Sequence, residues 1–159
     1  MIDSTVAIID DNQSIHFSNL TKIVNRTAKY YFENGIVENS TVAILANNSL
    51  EYVITVYALW KLGATPAPIS TRLKENEINS IIQSSGFNNI IVDDSFSNIK
   101  TQINSIKMLI KFEGAEYSKS VEASPNNVAV IIHTSGSSGK PKGVEITNSN
   151  LYHSFLSLS

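Results

Sequence analysis

The sequence contains no cysteine, which excludes disulfides, thiolate metal sites and a cysteine nucleophile together. Arginine is nearly absent, with Arg26 and Arg72 the only two, and the net charge is -2. Neither nucleic acid nor an anionic membrane surface is therefore an expected partner. The three histidines, His16, His133 and His153, stand far apart and show no ligand spacing, so no protein-held metal is expected. No apolar run approaches the length needed to span a bilayer. The opening Met1-Ile2-Asp3-Ser4 lacks the basic and apolar regions of a secretory signal, and a cytoplasmic protein is expected. There is also no internal repeat and no low-complexity linker.

What is present is a globular composition. Of 159 residues, 42% are hydrophobic and 16% charged, enough for one ordinary domain with its own core. Val6 to Ile9 reads as a short strand turning at Asp10-Asp11-Asn12. Leu20, Ile23, Val24, Thr27, Ala28, Tyr31 and Phe32 form one helical stripe, with Ser18 as expected N-cap and Gly35 as stop. Thr41 to Ala46 reads as a buried strand. A second helix runs from Ser49 to Leu62 and ends at Gly63. It is apolar around much of its circumference, so Tyr57 and Trp60 are expected in the core. Thr65 to Ile69 holds two prolines and suits an edge strand. A third helix over Lys74–Ser84 turns Ile78, Ile81 and Ile82 inward. Strands are expected at Asn89–Val92 and Ile106–Lys111, then a polar loop from Gly114 to Pro125. The apolar run Val128–Ile132 predicts a central strand buried on both faces. Strands alternating with helices predict an α/β layered domain with a largely parallel sheet.

The chemistry concentrates after that last strand, in Thr134-Ser-Gly-Ser-Ser-Gly-Lys-Pro-Lys-Gly143. Gly136 and Gly139 let the backbone turn tightly and approach a ligand. Successive N–H groups in such a loop make an anion nest, and Thr134, Ser135, Ser137 and Ser138 add hydroxyl donors. Pro141 forces Lys140 to be extended, so Lys140 and Lys142 can present their amines on one side. These features suit a polyphosphate. They do not make a Walker-type P-loop, because only two residues separate Gly136 from Gly139 and Pro141 follows Lys140. The glycine spacing also fails the dinucleotide fingerprint. From composition alone, an ordinary polar surface loop fits equally well. Asp93-Asp94 reads as a solvated turn, because adjacent strand residues face opposite sides. His133 reads as a packed histidine and Arg72 as a surface residue.

Thr134 through Val144 resembles the signature loop of the adenylate-forming superfamily: acyl-CoA synthetases, aryl-CoA ligases, luciferases and peptide-synthetase adenylation domains. The resemblance runs along the chain through Ile15–Leu20, Ala58–Pro68, Ser70–Ile78 and Glu145–Leu151. His16-Phe17 replaces the family's usual Thr-Tyr, and Asn148 stands where His is usual. The spacing from Gly63 to Thr134 and the run Thr71-Arg72-Leu73 resemble o-succinylbenzoate–CoA ligases.

The resemblance implies an enzyme that joins a carboxylic acid to ATP, giving acyl-AMP and pyrophosphate, with coenzyme A as the acceptor that follows. Magnesium would arrive on the ATP phosphates, its protein ligands outside this chain. By match to the family pattern, Thr134, Ser135, Gly136, Ser137, Ser138 and Lys142 would contact the β- and γ-phosphates, with Lys142 carrying the catalytic charge. Gly139 and Gly143 would shape the loop, and Lys140 would rank below Lys142. Residues 1–159 would then be the N-terminal portion of an adenylation domain, truncated at its C-terminal end. Its partners would be the acid, ATP and the remainder of that domain. An amino-acid adenylation domain and a non-catalytic phosphate-binding remnant are the alternatives.

Overall fold

A computed structural model describes residues 5–10, 13–119, 121–134 and 141–158. The turn expected at Asp11 and Asn12 lies outside them. The chain opens with an antiparallel pair, β1 (Val6–Asp10) and β2 (Gln13–His16). It passes directly into α1 (Phe17–Glu33), whose N-cap is His16 and not Ser18. Pairing with β1 keeps the backbone extended up to His16, and the Phe17 N–H donates to the Thr5 carbonyl. The helix therefore starts at the ladder's end, ahead of the better capping residue.

Four parallel strands follow in the order β4-β3-β5-β6: β3 (Thr41–Leu45), β4 (Thr65–Pro68), β5 (Asn89–Val92) and β6 (Asn104–Lys107). β4, with its two prolines, is an edge of this ladder, as its missing N–H donors require. β6 begins two residues earlier than expected, because its register against Asn89–Val92 fixes it. The chain then leaves the sheet, and the Lys111 N–H donates to buried Thr27 Oγ1.

Side-chain alternation divides the core in two. Val42 and Ile44 face α1 and α2 (Leu50–Leu62), meeting Tyr31, Ala58, Leu59 and Leu62. Ala43 and Leu45 face α3 (Glu75–Ser85), meeting Ile78, Ile81 and Ile82. The result is the expected layered α/β arrangement, a parallel sheet flanked by helices. Ser49 caps α2 by accepting from the Tyr52 N–H, and Gly63 ends it at φ 70°, a conformation that favours glycine. Tyr57 and Trp60 are not core residues. Leu50, Ile54, Ala58 and Leu62 take the inward stripe, leaving Tyr57 42% and Trp60 39% exposed. One helix cannot bury its whole circumference against a single sheet face.

The connections out of β3 and β5 diverge, so the crevice between their carboxyl ends is the sheet's switch point. Protein groups fill it. Asp93 Oδ2 accepts the Asn47 backbone N–H at 2.8 Å and its side-chain amide at 3.2 Å, and Oδ1 accepts the Ser95 N–H at 2.9 Å. Asp94 pairs with Lys107 at 2.7 Å.

Next come the antiparallel pair β7 (Val128–Thr134) and β8 (Lys142–Thr147), which among the described residues shares no ladder with the parallel strands although β7 runs close beside β4, and then α4 (Asn148–Leu158). The expected central, doubly buried strand is thus one arm of a two-stranded ribbon. Only Ala129 of its residues is buried, and Ile132 is 37% exposed.

Candidate functional site

The ribbon's register fixes the geometry of its open end. Thr134 pairs with Lys142, His133 with Gly143, Ile132 with Val144 and Ile131 with Glu145. Directly opposed residues of an antiparallel pair project to the same face. The Thr134 hydroxyl and the Lys142 ammonium therefore stand side by side where the ribbon opens, both exposed. The Thr134 hydroxyl donates to the Lys142 carbonyl at 3.4 Å. Ser135, Gly136, Ser137, Ser138, Gly139 and Lys140 lie outside the described residues. Of the expected site, the structure thus brings together Thr134, Lys142 and Gly143. A hydroxyl donor beside a cation on a solvent-facing edge is a donor set for an anion.

The opposite face of the ribbon is turned toward the core. Ile131 packs against the cluster that contains Phe87 and Ile90. His133 Nε2 lies 3.0 Å from Ser85 Oγ, and its ring meets Phe87 edge to face with centroids 5.7 Å apart. Ser85 is the last residue of α3, and Gly86, at φ 67°, turns the chain so that both Ser85 and Phe87 reach the histidine. Local sequence carries no signal for this contact, since Ser85 and His133 are 48 residues apart.

Gly143 has a steric role that its place in the ladder explains. A Cβ there would sit 2.9 Å from Ile131 Cγ2 and 3.6 Å from His133 Nε2. Replacing a strand glycine by alanine ordinarily gains about 0.5–1 kcal/mol of backbone entropy. Overpacking costs roughly 1–3 kcal/mol, so the clash outweighs the gain. Gly143→Ala should lower the denaturant midpoint, and an unchanged or raised midpoint would refute the close packing of Gly143 on Ile131.

Burial pushes His133 below the usual histidine range, and the Pro68 backbone draws it partly back. Its Nδ1 is buried without a hydrogen bond of good geometry. The lowered value means that the folded chain resists protonation. Its contribution to stability is present above the ordinary value of 6.5 and is lost as pH falls from there through the folded value. Chemical unfolding between about pH 7 and about pH 5 should show declining stability, and His133→Phe should flatten the decline. An equally steep decline in that variant would assign it to other groups.

A groove of about 890 Å³ lies at the other end of β7, beside Trp60, Val128 and Tyr152. The Trp60 indole N–H donates to the Ala129 carbonyl at 2.7 Å and the Thr65 hydroxyl to the Val128 carbonyl at 3.4 Å. No helix among the described residues is long and apolar enough to cross a membrane.

The layered α/β core and the ribbon beside it, with Thr134 opposite Lys142, form the frame of an AMP-binding domain. Residues 3–159 match the family described as AMP-binding enzyme, and the chain belongs to that family. O-succinylbenzoate coenzyme A synthetase from Bacillus subtilis, solved with AMP, superposes with a TM-score of 0.85 at 29% identity, covering 96% of this chain and 41% of that one. The same enzyme solved with ATP and magnesium gives a TM-score of 0.84 at 27% identity, covering 96% of this chain and 42% of that one. Bacitracin synthase 2 from Bacillus licheniformis is 30% identical over 92% of this chain and 6% of its own length. The chain thus spans less than half the length of these relatives.

Proposed function

We propose that this chain is the front of the large domain of an AMP-forming acyl-activating ligase and supplies its grip on the β- and γ-phosphates of ATP. The observation that carries the reading is the cross-strand pairing of Thr134 with Lys142 at the mouth of the ribbon. It sets a hydroxyl and a cation on one face at the two ends of the loop Ser135–Pro141, whose N–H groups and hydroxyls complete an anion nest. Within it, Ser135, Gly136, Ser137 and Ser138 contact phosphate oxygens, Gly139 and Gly143 shape the backbone, and Lys140 is secondary to Lys142.

As pyrophosphate leaves, negative charge gathers on its oxygens. Donors already aimed at that charge in a shielded site lower the barrier without reorganising. Among the described residues no three His, Asp or Glu side chains gather as a metal site. In this reading magnesium arrives coordinated by the nucleotide. The solved relative with ATP and magnesium supports that ligand pair. Coenzyme A is the acceptor in the acyl-CoA form of the reaction, which the succinylbenzoate enzyme's name supports.

A second reading, an amino-acid adenylation domain, is favoured by the similarity to bacitracin synthase 2. The two share the first half-reaction and differ in the acid and in the thiol acceptor. The test is acid-dependent ATP–pyrophosphate exchange in the intact enzyme, across aryl, fatty and amino acids. Exchange with any acid that is insensitive to Lys142→Ala would sink the phosphate assignment.

A further inference from the structure

The β7–β8 ribbon shares no ladder with the four-stranded sheet among the described residues. β7 nevertheless runs close beside β4, and side chains help to hold it there. At the start of β7, the Thr65 hydroxyl and the Trp60 indole hold the carbonyls of Val128 and Ala129. At the loop end, His133 meets Ser85. Resting on the phosphate-binding reading above, we infer that His133 is the positioning residue of the phosphate loop, clasped by Ser85 so that the strand end from which the loop departs is fixed before ligand arrives.

Three features support the assignment. His133 immediately precedes Thr134, and alternation puts its ring on the core face while the Thr134 hydroxyl takes the open face. The ring is bedded on Phe87, itself only 4% exposed, which holds it in one orientation. Gly143, its ladder partner, lacks the side chain that would crowd Ile131 and approach the imidazole. Phenylalanine at position 133 could make the same apolar contact with Phe87, but it has no ring nitrogen for Ser85. The hydrogen bond is the part that distinguishes a clasp from packing. Its effect is preorganisation: a strand end already fixed loses less freedom when an anion binds beside it.

The test uses the intact enzyme with magnesium and inorganic pyrophosphate as probe, titrated by phosphorus NMR. The wild-type enzyme should bind saturably, and the His133 Nε2 resonance should move along the same isotherm. Ser85→Ala and His133→Phe should each weaken binding about three- to tenfold, the range expected for one lost hydrogen bond. His133→Gln, which keeps a polar nitrogen near the Nε2 position, should restore most of the affinity. The double variant Ser85→Ala/His133→Phe should be no weaker than the weaker single, because both remove one interaction. Melting curves of the variants provide the folding control. Folded single variants that bind as the wild type does, or losses that multiply in the double variant, would overturn the inference while leaving the phosphate reading intact. A wild-type enzyme that ignores pyrophosphate, or a Lys142→Ala variant that binds as tightly, sinks the phosphate reading and this inference with it.

Discussion

Replacing Lys142 by alanine in the intact enzyme is expected to slow ATP–pyrophosphate exchange about a hundredfold or more. Lys142 is the first residue of β8, so its backbone is held by cross-strand pairing with Thr134. Its ammonium is thereby presented at the loop's exit. The developing charge of the leaving pyrophosphate is where a prearranged donor has most effect, and losing one such donor costs roughly 3 kcal/mol. The change should appear mainly in the rate of the exchange step, since the interaction strengthens as the leaving group departs. Lys140→Ala is expected to cost much less. An unchanged rate in Lys142→Ala removes that residue from the site, and a larger loss in Lys140→Ala reverses the assignment of the two lysines.

The 159-residue chain by itself is expected to form no detectable acyl-adenylate or AMP. Adenylation requires charge stabilisation at the β- and γ-phosphates and placement of a carboxylate in line with the α-phosphate. In the proposed reading this chain supplies the first. The second is assigned to no residue of this chain, which spans 41% of the solved succinylbenzoate relative. Such placement contributes on the order of 7 kcal/mol or more, which is a rate factor of about 10⁵. Incubation with ATP, magnesium and a panel of acids, followed by chromatography for AMP, decides the matter. Robust acid-dependent AMP formation that disappears in Lys142→Ala would show that these residues hold a complete active site, and would overturn the proposal that they form only its front.

Much of the scaffold was legible because local chemistry and tertiary structure agree. Ser49 and Gly63 bracket α2 with a side-chain cap and a left-handed stop, and Ile78, Ile81 and Ile82 mark the buried face of α3. The strand Asn89–Val92 is bounded as its apolar run indicates. Other features depend on partners distant in sequence. Lys142, Gly143 and Glu145 interrupt any apolar pattern, so β8 carries no strand signal of its own and exists through its pairing with β7. The run Val128–Ile132 does not disclose that Ile132, like Val144 opposite it, faces outward on an open side of the ribbon. Trp60 looks like a core residue by helical spacing, yet its position beyond the inward stripe leaves it spanning to Ala129. Of the string of donors read from the sequence, the described residues include Thr134, Lys142 and Gly143. The contact of His133 with Ser85 had no sequence signal, because the two are 48 residues apart and meet only through packing.

The Asp93 carboxylate at the carboxyl end of the parallel sheet has a consequence for where a ligand finds free donors. An aspartate that collects two donors from Asn47 and one from Ser95 satisfies the edge where a sheet of this kind would otherwise solicit a ligand. The parallel layer is in this sense self-liganded and indifferent to which molecule the protein handles.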